Sequence, residues 1–209
     1  MSPTAGRQKL SRRERNEEVR RSLFKAAGDI VGERGYEEAS ISRITERAGV
    51  ALGTFYNHFA SRQELLDQLL PTIGEEMIEF IRQRTLDVRP ERERELARFR
   101  AFFEFLVENP GFLRILNEAE FSAPDAYRQH IENVSLPYHR ILRRARAAGE
   151  IRSFTDAELE AVVHILIGAR SYLSQRYSYA KDGARLPDEA MFDAYAKLLI
   201  GGLFEETQP

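Results

Sequence analysis

The sequence predicts an all-α protein, with an N-terminal three-helix head and a larger helical body, about nine helices in total. Three observations carry this. Apolar residues recur at spacings of three and four through almost all of the 209 residues, and no segment alternates apolar with polar as a strand would. Pro, Gly and Asn fall between these segments, as in Asn109-Pro110-Gly111 and Leu186-Pro187-Asp188, and break the pattern into helix-sized pieces. Between Ser40 and Leu65, two short helices are joined by a tight turn and followed at once by a third.

In chain order, Val19, Leu23, Ala27, Ile30 and Val31 give residues 13–34 one apolar stripe and predict the first helix. Ser40 precedes an Ile41, Ile44, Ala48 stripe and suits an N-cap, while Gly49 can take the positive φ that ends this second helix. In the third helix, residues 51–58, Val50, Phe55 and Phe59 share an inward face. Leu52, Gly53, Thr54, Tyr56, Asn57 and His58 are left outward, small or hydrogen-bonding and nearly uncharged, as beside base edges and phosphates in a major groove. Ser61 with Glu64 reads as a capping box that opens the connector to the body, where Pro71 removes a ladder N–H and is expected to bend or break the helix. That bend reads equally as a coupling hinge or as a structural feature.

Beyond Arg89-Pro90, Leu96, Phe99, Phe102, Phe103, Leu106 and Val107 share one face of residues 91–108, with alternating Glu and Arg read as a salt-bridged exterior. A short helix over residues 112–121 follows. A longer one over residues 127–148 is expected to be interrupted at Pro137 and to stop at Gly149. Thr155 with Glu158 caps a helix running to about residue 179, and the last ends near Phe204. The expected organisation is a flexible basic tail at 1–12, a helix-turn-helix domain at 13–60, and an effector-binding and dimerisation domain at 61–209.

Glu33-Arg34-Gly35-Tyr36, Ser40-Ile41, Ile44, Ala48-Gly49-Val50, Gly53-Thr54-Phe55-Tyr56, His58-Phe59 and Ser61-Arg62-x-Glu64-Leu65 resemble the TetR/AcrR family of transcriptional regulators. The resemblance implies that Thr54, Tyr56 and His58 reach bases or phosphates and that Arg62 grips the DNA backbone. Ser40, Ser42 and Arg43 complete the expected DNA-facing set. Leu52 stands where that family often has a polar or basic residue and Asn57 where it often has an aromatic one, so no operator sequence carries over. Gly28 and Gly32 lie inside the first helix, each costing about 1 kcal/mol relative to Ala.

The net charge of −2 hides a division. Residues 1–65 hold 12 Lys and Arg against 9 Asp and Glu, a balance of +3, and the remainder holds 19 against 24, a balance of −5. The positive pole is at the DNA-reading end, and the basic tail reads either as a solvated segment or as one that lies along DNA. Absence of cysteine excludes disulfides, thiolate metal sites and a cysteine nucleophile. No apolar run approaches the length of a membrane span, and the expected location is cytoplasmic. No metal, phosphate-loop or hydrolase motif occurs, so no catalytic residue, metal or cofactor is expected.

The last two helices are apolar on more than one face, which a single subunit does not need. Leu166, Leu173, Leu198 and Gly202 are the expected contacts of a homodimer with two helices from each subunit, the other possibility being burial of both faces within one monomer. Two heads about a two-fold axis would read a palindromic double-stranded DNA operator. Phe80, Phe103, Asn117, Phe121, His130, Tyr138 and Arg170 mix aromatic with polar groups and form the expected pocket for an apolar or amphipathic effector, such as an acyl-CoA, a fatty acid or an aromatic compound. For Arg170, two partners are open: a ligand anion, or a buried pair with Glu118 or Glu120. The expected function is a ligand-responsive repressor. An architectural DNA binder without effector is the alternative, and a small enzyme a more remote one.

Overall fold

The computed structural model describes residues 11–178 and 184–201, which form nine α-helices and one 3-10 turn with no strand among them. α1 (Arg12–Arg34) starts on a complete capping box: the Ser11 hydroxyl accepts from Glu14 N at 3.2 Å, and Glu14 accepts from Ser11 N at 2.7 Å. The tail expected over residues 1–12 lies outside the described residues up to residue 10. A 3-10 turn (Tyr36–Glu38) leads to α2 (Ile41–Ala48), where Ser40 accepts from Arg43 N and Gly49 sits at φ 69°, so both expected caps are present. α3 (Leu52–Tyr56) follows, with Phe55 fully buried against Phe59 and Phe59 against Phe24.

α4 (Arg62–Thr85) is one continuous helix with Pro71 inside it, so the proline does not break it. Leu65, Leu66, Leu69, Leu70 and Met77 are buried on both sides of the proline, and their packing outweighs the roughly 3 kcal/mol that an interior proline costs. α5 (Glu91–Glu108), α6 (Phe112–Ser122) and α7 (Pro124–Ala147) wrap α4, and α7 likewise runs uninterrupted through Pro137. α8 (Asp156–Ser178) opens on the expected Thr155/Glu158 box, and α9 (Glu189–Gly201) closes the described chain. One hydrophobic core runs from α1 to α9, with α4 leading from the head into the body.

Where α1 crosses the start of α6, Gly32 and Gly111 touch backbone to backbone: a Cβ on Gly32 would lie 2.7 Å from Gly111 Cα. The glycine that looked like a cost to α1 is what lets the head seat on the body.

Candidate functional site

The recognition helix α3 projects from the head over the buried Phe55 and Phe59. Tyr56 is 56% exposed and Leu52 54%, Asn57 and Gly53 are exposed, and Thr54 and His58 are half-buried at its edges. Ser42 and Arg43 are exposed at the start of α2, where Arg43 pairs with Glu38, and the Ser40 hydroxyl also lies 3.1 Å from that of Ser42. Arg62 has partners within the head. Its guanidinium, half-buried, donates to Ala39 O at 2.8 Å and to Tyr36 O, and so staples the turn between α1 and α2.

The body holds a half-open cavity of about 480 Å³ between α4, α5, α6, α7 and α8. Of the expected pocket residues, Asn117, His130, Tyr138 and Arg170 line it, and three do not. Phe103 is 1% exposed inside the Phe99, Phe102 and Phe192 cluster. Phe80 packs edge-on against Phe105 beneath Arg84, and Phe121 is 85% exposed. The apolar wall is formed instead by residues such as Met77, Ile81, Phe102, Phe112, Leu116 and Val134.

The charged part of the wall was missed. Arg82 and Arg89 near the end of α4 and Arg94 and Arg98 from α5 join Arg170 in lining the cavity. Alternation of Glu and Arg along α5 suggested a solvated face, yet Glu91 and Glu95 are buried. A signal was present: positions 91, 94, 95, 98 and 102 fall at three- and four-residue steps, so these charges share a helix face with Phe102. Arg170 pairs with Glu95, not with Glu118 or Glu120, and donates to the Tyr138 hydroxyl at 3.2 Å. Burial is the largest single influence and opposes its charge, but the Glu95 carboxylate together with the Tyr138 and Tyr195 hydroxyls outweighs it and holds the guanidinium above its ordinary range. Burial pushes the Tyr138 hydroxyl up, and that of Tyr195, which donates to Glu95 at 3.0 Å, likewise. Both therefore stay neutral. His130, 4% exposed, packs its Nδ1 edge against Gly74 without a hydrogen-bond partner, and burial pushes it down to about 4.

Cavity and head share α6. Phe112, Leu116 and Asn117 face the cavity, whereas Arg114 donates to Glu33 O at the end of α1 and Glu118 accepts from Tyr36 N at 2.9 Å.

Four residues are expected to contact a second subunit. Leu166 is 7% exposed and packs mainly in the monomer core; Leu173 is half-buried against that core; Leu198 is 51% exposed; Gly202 lies outside the described residues. The outward apolar residues of α8 are Ile165, 66% exposed, and Tyr172, 76% exposed, with Ala161 and Gly168 in the same stripe. Among the described residues no helix is long and apolar enough to cross a membrane, and no group of His, Cys, Asp and Glu could hold a metal ion.

Residues 23–69 match the model of bacterial regulatory proteins of the tetR family. The HTH-type transcriptional activator FasR of Mycolicibacterium smegmatis is 30% identical over 119 residues, 57% of this chain, and the chain spans only 54% of that relative. Among solved structures, the regulator FadR of Bacillus subtilis in complex with stearoyl-CoA superposes with a TM-score of 0.75 at 19% identity, over 88% of this chain and 99% of the other. AibR in complex with isovaleryl coenzyme A and operator DNA superposes with a TM-score of 0.64 at 19% identity, over 87% and 97%. The head of this chain, residues 23–69, thus matches the tetR family's own model, and the described helices share the fold of these regulators.

Proposed function

We propose that this chain is a ligand-responsive transcriptional repressor that binds a palindromic operator as a homodimer and is released by a small amphipathic effector. The observation that carries the reading is α6, which lines the cavity with one face and grips the end of α1 and the turn after it with the other. A ligand that shifts α6 therefore acts on the seat of the recognition helix, and it lowers operator affinity by as much as it prefers the shifted state. A plain architectural DNA binder would have no use for such a cavity. The apolar wall with arginines beside it suits an acyl chain bearing an anionic group, the class to which the acyl-CoA ligands of the two solved relatives belong.

Exposure of Tyr56, Asn57 and Leu52 supports contact with DNA through α3. Tyr56→Phe and His58→Ala should weaken binding to every operator variant, whereas changes at Thr54 or Asn57 should alter the order of preference among variants. Gel-shift titrations over an operator panel check this; a uniform loss for all four would remove the assignment. Arg62→Ala is expected to act by loosening the turn it staples, with a lower melting temperature and little change in the salt dependence of DNA binding.

A further inference from the structure

The charges around the cavity do not balance. Among the described residues, five arginines line it and no carboxylate does. Arg82 is paired with Glu79, and Arg89 donates to the carbonyls of Leu86 and Val88. Deeper in the wall, Arg94, Arg98 and Arg170 share two carboxylates: Glu91 meets Arg94 at 3.3 Å and Arg98 at 2.5 Å, and Glu95 meets Arg98 at 3.4 Å and also pairs with Arg170. These five side chains are between 8% and 18% exposed. Three cations against two anions leave one unit of positive charge, and the neutral Tyr138 and Tyr195 hydroxyls cannot compensate it.

The surplus is visible at one atom. Arg94 Nη2 is buried and has no hydrogen-bond partner, while Arg94 Nε donates to Val88 O at 2.9 Å and Nη1 to Glu91. A buried guanidinium N–H without an acceptor costs more than a neutral one, and a carboxylate is its best-matched acceptor. A thioester would place a neutral carbonyl beside this charge and leave its phosphates far along the carrier arm, outside the wall.

Resting on the reading of the cavity as the effector site, we propose that the effector is a free carboxylic acid with an apolar chain or ring, bound as its monoanion with the carboxylate on Arg94 and the apolar part against Phe102, Phe112 and Leu116. The recognised class is then a long-chain or aromatic acid, not its coenzyme A thioester.

The test is calorimetric titration of the full-length protein with tetradecanoate, tetradecanol and tetradecanoyl-CoA, each below its micelle concentration, for the wild type, Arg94→Met and Arg94→Lys. The acid should bind about tenfold or more tighter than both the alcohol and the thioester. Arg94→Met should bring acid and alcohol to within about twofold, and Arg94→Lys should fall between. Arg94→Met also loses the bonds to Val88 O and Glu91, so the deciding readout is the ratio of acid to alcohol affinity, which a merely structural loss would not move. A thioester that binds as tightly as the acid, or a preference for the acid that survives Arg94→Met, overturns the proposal while leaving the cavity as an effector site. Failure of all three ligands to bind overturns that reading and the proposal together.

Discussion

Gly32 and His130 show how single positions carry constraints that their local context does not advertise. In isolation, Gly32→Ala should favour α1 by about 1 kcal/mol. In the fold, the new methyl group would sit 2.7 Å from Gly111 Cα, backbone that cannot swing aside. The expected net effect is a loss of about 1–3 kcal/mol, read as a lower midpoint in denaturant unfolding. His130 carries a pH dependence whose sign follows from its burial. Held down to about 4 in the folded chain against 6.5 when exposed, it stays neutral in the fold while the unfolded chain takes up a proton. Stability from this residue is complete above pH 6.5 and is lost as pH falls from there toward 4, about 2 kcal/mol by pH 5. The difference in melting temperature between pH 7.5 and pH 5 should shrink in His130→Leu; an unchanged difference would remove the histidine from the account.

At the scale of the element, α6 matters most. Glu118 holds Tyr36 N beside Gly35, whose φ of 92° makes the turn out of α1. Glu118→Ala should leave operator binding by the free protein nearly intact and reduce the loss of affinity caused by effector, measured by gel shift with and without ligand. A variant that responds fully to effector would place the coupling elsewhere. Helices themselves were legible in the sequence because their ends are written in residue types: Ser40, Gly49, Ser61 and Thr155 all act as caps. The site was legible in part. Thr54 to His58 could be read because small and polar groups there lie opposite buried Phe55 and Phe59. Phe80, Phe103 and Phe121 could not be separated from true cavity residues, because aromatic spacing gives the helix face but not whether that face meets a void, a neighbour or solvent. The α5 arginines were missed for a related reason: alternating charge usually means water, and only tertiary packing brings Glu91, Glu95 and Arg98 inside. Pro71 failed as a stop signal since burial on both sides decided against local preference.

For the whole molecule, the exposed stripe of Ile165 and Tyr172 on α8, with Leu198 and Ile200 on α9, is the surface proposed to pair two subunits. Ile165→Glu combined with Tyr172→Glu should convert a dimer into a monomer by sedimentation. Operator affinity should then drop by a hundredfold or more, on the order of the loss of one half-site. A double variant that still sediments as a dimer would move the interface to another face.

The unbroken run of α4 past its proline has a mechanical corollary. Its 24 residues make a rod about 36 Å long, anchored under the recognition helix at one end and flanking the arginine-lined chamber at the other. Tilting such a lever by about 5° sweeps its tip through about 3 Å, close to one base-pair step of about 3.4 Å. A sub-ångström displacement near the fulcrum is thus magnified at the head, and a helix that flexed at its middle would absorb that displacement before it reached α3.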